Sequence, residues 1–577
     1  MYKDPAAITK MVDDKDKELK DLKDRFEYDY NKLWRLPEYQ LGKKEDYDIY
    51  TSNLPRNLAN KIIEILGYAP LQISIPQEND DEKEREAKAA GERLIYGALN
   101  IADERLRGTV QPTIQEQLAF YAVLRGWVVL RCYLHVEKEG GETIPDIVAW
   151  DPLNVVWDVG SSGKIWVCHK RPITAGQAKS EYGASMWEKF KSLFQGKSSK
   201  PVLYDFWDEE GYQVIHKGEN VLGPETHGLG YIPVFVGMVG PAPFIQSGEA
   251  TDTIKDFGES VYGPERGIFP VINKIMTYRL TLLGQGVHPP LGIYSRDGQK
   301  PFQESPYRKG DNVHFSTDNK EDAKPLFTPT IPSDAASFQN DVQRETMMGG
   351  ALPLLWGVDE PGGSGYRANL LTHAASTTLL PRQRLMENAL EWGGREILAQ
   401  YKGGGFGKLR VRGHDGKGKS FDTELSPGNI EADWFPEAKL SPQLPQDEAG
   451  LYAMMEAAVR SRIHSRETAM DKVGIQDIEA EKGRISREDA DDIPSIRVRK
   501  IMKELTDDGR PDLARQVFQE YLKALGLQPG GGTTQTQGMP SNVLPPAETQ
   551  ATHLSPEQIK DMSEDLKLKT LGLERGK

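Results

Sequence analysis

"PERGIFPVINKIMTYRLTLLGQGVHPP", residues 264–290, is the stretch on which the reading of this chain turns. Ile272, Ile275, Met276, Leu282 and Leu283 fall on one helical stripe, and Asn273, Lys274, Thr277 and Thr281 fall on the opposite face. Arg279 sits inside the apolar stripe. Gly284, Gly286, Pro289 and Pro290 then end the helix, because proline lacks the N–H that a helix needs and clashes with the turn before it. The following residues, 291–327, read as a small strand-and-turn module carrying Arg296, Lys300, Arg308, Lys309, Lys320 and Lys324. A second helix is expected from Ser333, a suitable N-cap, to Met348, with Gly349, Gly350 and Pro353 breaking it. The module is therefore bracketed by two helices.

Upstream, a charged helix is expected from Lys15 to about Arg35, closed by Pro37. Leu54, Leu58, Ile62, Ile65 and Leu66 mark another that Gly67 stops. A polar stretch from about Glu78 to Glu92 separates this from a helix over Ile114–Leu124. Then Val128, Leu130, Cys132, Leu134 and Val136 alternate with Trp127, Val129, Arg131, Tyr133 and His135, the period of a half-buried strand. Short runs such as "KIWVCHKRP" (164–172) and "YIPVFVGMV" (231–239), parted by Gly, Pro and Asp turns, extend an antiparallel β-rich region to about Gly240. One helical insertion is expected within it, near Ala175 to Phe194.

Downstream, the glycine-rich "DEPGGSGYRANLLTHAAS" (359–376) leads into a helix from about Tyr366 to Tyr401. Pro381 lies in its middle, and Met386, Leu390, Ile397 and Tyr401 keep helical spacing beyond it, so one long kinked helix is expected. Residues 403–428 return to strands and turns, and Gln446 to Leu527 is helical again. Gly530 to Thr549 has linker composition. A last short helix starts at Ser555, with Pro556 in its first turn and Gln558 completing a capping box. No internal repeat is found.

At 577 residues, with 38% hydrophobic and 27% charged, the chain exceeds what one ordinary core holds. Its formal charge of −14 argues against gripping nucleic acid over the whole surface, which needs many clustered Lys and Arg. No apolar run approaches the roughly 20 residues that span a bilayer, and the N-terminus lacks the apolar centre of a signal peptide, so a cytoplasmic protein is expected. Two cysteines, Cys132 and Cys168, cannot build a disulfide framework and read as buried, reduced thiols.

Chemical motifs fail on spacing. "GGSGY" would place Ser364 in a nucleophile elbow, but Tyr366 stands where the last glycine belongs. "KGGGFGKL" has Lys402 where a phosphate loop needs its first glycine and Leu409 where it needs Ser or Thr; "GQGVHP" at Gly284 lacks a third glycine. The ten histidines are scattered, and adjacent Cys168 and His169 point to opposite faces of a strand, so they cannot share one metal ion. Ser465 can cap a short helix ended by Gly474, as in a helix-turn-helix, but the acidic residues around it favour a packed helical domain. No catalytic, cofactor-binding or metal-ligating residue is expected.

The order of parts, with "SNLPRNLANKIIEIL", "DPLNVVWDVG", "GPERGIFPVINKIMTYRLTLL", "GSGYRANLLTHAA" and "SRETAMDKVGIQDIEAE", resembles the portal proteins of tailed bacteriophages, from about Asn53 to Leu527. The resemblance implies an elongated α+β subunit. Its parts would be an N-terminal helical part of the wing (1–113), a β-rich wing (114–262), a first stem helix (263–290), a small α/β clip (291–330) and a second stem helix (331–357). A tunnel loop (358–366), a long kinked wing helix (367–402), wing strands (403–435), a helical crown (436–528) and a flexible tail with a short helix (529–577) would follow.

It also implies a homo-oligomer, a dodecameric ring at one capsid vertex of the virion, assembled in the host cytoplasm without a membrane. The ring would conduct double-stranded DNA in packaging and ejection. Its partners would be the terminase large subunit and head-tail adaptor at the clip, where Arg296, Lys300, Arg308 and Lys309 lie, and the major capsid and scaffolding proteins. Gly362, Gly363, Ser364, Gly365 and Tyr366 would form the tunnel loop. Lys274 and Arg367 would touch DNA phosphates in the channel, an ordinary solvated lysine being the alternative for Lys274 and a salt bridge to a neighbouring subunit the alternative for Arg367. Arg279 would pair with a neighbouring subunit. The packaging energy comes from a separate ATPase in that family, in keeping with the missing phosphate loop. Two other classes stand beside it: an enzyme acting on nucleic acid through carboxylates the sequence does not single out, and a monomeric scaffold for capsid or cell proteins.

Overall fold

A computed structural model of the chain describes residues 4–42, 47–76, 82–136, 143–161, 163–174, 176, 177, 179, 201–240, 257–287, 291–295, 313–316, 322–325, 333–348, 365–416, 420–442, 448–473, 481–486, 494–507 and 510–524. The chain forms two compact units, residues 1–481 and 482–577.

The first helix, α1 (Pro5–Glu18), starts ten residues before the expected Lys15, because Asp4 accepts the Ala6 N–H at 3.0 Å and Pro5 pre-sets the first turn. Its charged residues hide a buried pair at i and i+4, Ile8 and Val12. After a break at Leu19, α2 (Lys20–Tyr28) continues into a single π turn, Asp29–Trp34. The helix α3 (Leu54–Gly67) ends at the expected glycine, and β1 (Leu71–Ser74) follows. The polar stretch after it is not a spacer: residues from Glu82 onward belong to α4 (Glu82–Gly108), which buries Leu94, Ile95, Ala98 and Ala102 along one stripe. Thr113 and Glu116 form a full capping box at the head of α5 (Ile114–Leu124).

The β-rich region is antiparallel. A three-stranded sheet takes the order β3 (Thr143–Trp150), β2 (Trp127–Val136), β9 (Val234–Met238). A five-stranded sheet runs in sequence order through β4 (Val155–Gly160), β5 (Gly163–Pro172), β6 (Val202–Asp208), β7 (Gly211–His216) and β8 (Glu219–Thr226). Strand β2 is central and buries Trp127 and Val129 as well as Val128, Leu130, Cys132 and Leu134, so its alternation holds only toward its far end. The insertion expected near Ala175 to Phe194 lies almost wholly outside the described residues.

The bracketed module consists of α6 (Ile268–Val287), then β10 (Leu291–Ser295), β11 (Val313–Ser316) and β12 (Asp322–Pro325), then α7 (Ser333–Met348). Strand β10 pairs parallel with β11 and antiparallel with β12. The long helix α8 (Gly365–Gly403) is continuous through Pro381. It lies on β2, where the Gln400 amide takes the Leu134 N–H and donates to the Cys132 carbonyl, both at 2.9 Å. Leu385, Met386, Ala389, Leu390, Ile397, Leu398 and Tyr401 bury its lower half in the main core.

A hairpin, β13 (Leu409–His414) with β14 (Ser420–Leu425), packs on α4. Strand β15 (Glu437–Leu440) lies just past the expected strand region and pairs with β1, closing the ends of this core together. Two helices, α9 (Glu448–Arg460) and α10 (Arg466–Val473), complete the first unit. In the second, α11 (Pro494–Asp507) packs on α12 (Pro511–Ala524). The fold is α+β.

Candidate functional site: a helix pair held by a strap

The helix α6 leaves the core through a tightly fixed corner. Gly126 and Gly258 both have left-handed backbones, φ +68° and +67°, and a Cβ on Gly126 would stand 2.3 Å from the Gly258 carbonyl oxygen, so only glycine lets the two segments approach. The Trp127 indole N–H donates to the Phe257 carbonyl at 3.0 Å, and the Arg25 guanidinium donates to the Phe257 and Gly258 carbonyls at 2.8 and 2.7 Å.

One step further on, the Asp29 carboxylate, wholly buried in the π turn, receives a forked pair of bonds from Arg266 at 2.7 and 2.8 Å and the Ser260 hydroxyl at 2.6 Å. Burial works against the Arg266 charge, but the Asp29 hydrogen bonds and charge prevail and raise its pKa. Phe269, against the edge of Tyr262, roots the first turn of α6 in the core.

The face of α6 expected to be polar and free is covered by the chain itself. An extended strap runs antiparallel along it. Ser52 N–H donates to Asn273 Oδ1 at 2.8 Å, Tyr50 N–H to Thr277 Oγ1 at 3.1 Å and Asp48 N–H to Thr281 Oγ1 at 2.9 Å. Thr277 and Thr281 are buried as a result. Their polarity answers the backbone of the strap, as buried N–H groups require. What faces outward is apolar instead: Val271, Tyr278, Leu280 and Leu283 are exposed, Leu283 by 57%. On α7, which packs on α6, Val342 and Thr346 are buried and Phe338 is 53% exposed. The reading of α6 is thus corrected in part: Asn273, Thr277 and Thr281 meet the strap while Lys274 stays exposed, and of the expected apolar stripe Ile272, Ile275, Met276 and Leu282 are half-buried and Leu283 is exposed.

Of the residues singled out in the sequence, Lys274 is exposed at the border of these two faces, its ammonium 5.9 Å from the Tyr278 ring centre. Arg279 is half-buried. Gly365 is the first residue of α8, with Tyr366 and Arg367 in its first turn, so the last two residues of the expected tunnel loop are helical. Gly362, Gly363 and Ser364, and Arg296, Lys300, Arg308 and Lys309, lie outside the described residues. Sequence reasoning missed Arg25, Asp29, Ser260, Arg266 and the strap. The signal for the strap was present in the four-residue spacing of Asn273, Thr277 and Thr281; nothing in the sequence pairs Asp29 with a residue more than two hundred positions away.

Among the other described residues, several titratable groups are held within the packing. Cys132 and Cys168 are free and buried, and burial pushes both thiols well up. His169 stacks on Trp150 at 4.6 Å, and burial, with repulsion from Arg171 and Arg131, pushes its imidazole down to about 3. Arg131 lies between the Trp150 and Trp207 rings, 5.3 and 5.5 Å away, and pairs with Asp146 and, at 3.7 Å, Asp205. Among the described residues no group of three or more His, Cys, Asp or Glu is placed to hold a metal ion, and no helix is long and apolar enough to cross a membrane.

No protein-family model and no curated protein matches the chain. Among solved structures, a chain in the neck of an empty GTA particle computed with C6 symmetry is similar at 14% identity and a TM-score of 0.37, over 74% of this chain and 90% of that one. A chain from the virion of the native gene transfer agent particle is similar at 14% identity and 0.36, over 73% and 89%. One from the native neck computed with C12 symmetry stands at 13% and 0.33, over 73% and 89%. Superpositions of that quality leave the functional reading to the geometry of the chain itself.

Proposed function

We propose that this chain is the subunit of a portal ring, a structural and non-enzymatic part of a tailed-phage virion. The ring sits at one capsid vertex and conducts double-stranded DNA during packaging and ejection. One observation carries the reading: two packed helices, α6 and α7, bracket a small three-stranded sheet, and α6 turns Val271, Tyr278, Leu280 and Leu283 to the outside while its own strap covers its polar stripe. Val271 and Tyr278 on one flank of the helix and Leu280 and Leu283 on the other are left exposed among the described residues, and a second copy of the chain supplies the cover.

On this reading Lys274, at the border of that face, is the phosphate contact in the channel, and isolated cations of this kind suit a duct through which DNA slides. Arg367, at the head of α8, is a second such contact, and Arg279 meets the neighbouring subunit. The glycine run Gly362 to Gly365 lets the loop before α8 adjust to the moving duplex. The module between the helices docks the terminase large subunit and later the head-tail adaptor, through Arg296, Lys300, Arg308 and Lys309. The capsid and scaffolding proteins surround the assembled ring.

The test is assembly. Full-length chain run by analytical ultracentrifugation is expected to sediment as a large homo-oligomer, and Leu280→Glu with Leu283→Glu is expected to leave a folded monomer with an unchanged circular-dichroism spectrum. Oligomers that survive both charges would take the interface off α6.

A further inference from the structure

The geometry points to a second stop for the strap on α6, one helical turn from the observed one, so that strap and helix form a two-position ratchet. This goes beyond the ring reading and does not depend on it. The strap donates from every second residue, Asp48, Tyr50 and Ser52, and the helix accepts at every fourth, Thr281, Thr277 and Asn273. The two periods match. Alternate residues of an extended chain lie about 6.6 Å apart. Four helical residues rise about 6 Å, and along the ridge they form, inclined by about 26° to the axis, the step is about 6.7 Å. A shift by one whole step therefore returns every donor to an acceptor, whereas a half step leaves the donors between turns, with Asn273, Thr277 and Thr281 out of register.

The helix carries one acceptor more than the strap uses. Gln285, four residues beyond Thr281, continues the series Asn273, Thr277, Thr281 within α6. In the shifted register Asp48 donates to Gln285, Tyr50 to Thr281 and Ser52 to Thr277, so all three bonds are remade. Movement in the other sense brings Ser52 to Phe269, which has no acceptor, so the ratchet has two stops and a direction.

The strap hydrogen bonds do not choose between the stops. The choice is made at the root of the helix, where Phe269 is seated in the core and Arg266 grips Asp29. The turns between Gly258 and Gly267 join that root to the core and are where a helix displaced by a turn changes its backbone. The step is a screw of about 6 Å and about 40°, the size of known one-turn shifts of one packed element past another.

Disulfide trapping in the full-length protein tests it, since a disulfide requires Cα atoms within about 7 Å and the native Cys132 and Cys168 are buried. In the observed register the Tyr47 and Tyr278 side chains face each other, their rings 5.9 Å apart, and Tyr47→Cys with Tyr278→Cys, whose oxidation is measured first, is the pair for the first stop. Tyr47→Cys with Leu282→Cys reports the second, and Tyr47→Cys with Leu280→Cys, on the far side of the helix, is the background. The Leu282 pair is expected to form at least several-fold above that background. Gln285→Ala is expected to reduce it several-fold while leaving the Tyr278 pair unchanged. A Leu282 pair no better than background, or one indifferent to Gln285→Ala, overturns the second stop.

Discussion

Asp29 is the residue on which the position of α6 most depends. Its carboxylate is wholly buried and answered by Arg266 and Ser260, so removing it leaves the guanidinium and the Ser260 hydroxyl without their buried acceptor. Asp29→Ala is expected to lower stability by about 3 kcal/mol, read from the midpoint of urea unfolding; a change below about 1 kcal/mol would mean the pair behaves as a surface ion pair. His169 sets a pH dependence. Its folded pKa of about 3 lies below its ordinary 6.5, so the unfolded chain binds a proton that the folded one refuses between those values. Stability attributable to His169 is present above about pH 6.5 and falls as pH drops toward 3, by up to about 1.4 kcal/mol per pH unit. His169→Phe, which retains a ring against Trp150, is expected to flatten the acid limb of stability measured from pH 6.5 to 4.5; an unchanged limb would show that the imidazole titrates normally. The sequence showed that His169 and Cys168 leave a strand on opposite faces, since period two is a local property. It did not show Asp29 as anything but one acid in a charged helix, because its partners arrive from the far end of the β-rich region.

At the scale of elements, the ends and breaks of helices were legible where local chemistry makes them. The span of α5 from Ile114 to Leu124, the stop at Gly67 and the extent of α7 from Ser333 to Met348 are all written in neighbouring residues. The face that a helix buries was not legible for α6. Asn273, Thr277 and Thr281 were expected on a polar face opposite the apolar stripe, but a backbone strap donates its N–H groups to that side, so Thr277 and Thr281 are buried where Leu283 is exposed. A different cause hid α4: its first turns are charged, and Leu94, Ile95, Ala98 and Ala102 further along carry its packing. The corner at Gly126 and Gly258 joins these elements rigidly. Gly126→Ala places a methyl group 2.3 Å from the Gly258 oxygen in a left-handed backbone, and is expected to destabilise by about 2 kcal/mol or more and to speed amide exchange at 257–260. Unchanged exchange there would show that the corner relaxes freely.

For the whole molecule, the sequence order of a β-rich region, helix, small sheet, helix and long helix is the order in which the elements stand in the structure. Pairings across long separations were not predictable: β9 returns to β2, and β15 joins β1 over more than three hundred residues, because such contacts follow from the closed core and not from local pattern. On the proposed reading, function at this scale rests on assembly, since a channel for a duplex would form only between subunits. The measurement that bears most directly on that claim is an image of the purified full-length protein by negative-stain electron microscopy. The account predicts closed rings of one size with a central hole of roughly 20 Å or more, enough for B-form DNA. A field of separate monomers at high protein concentration, or compact particles without a hole, would contradict it.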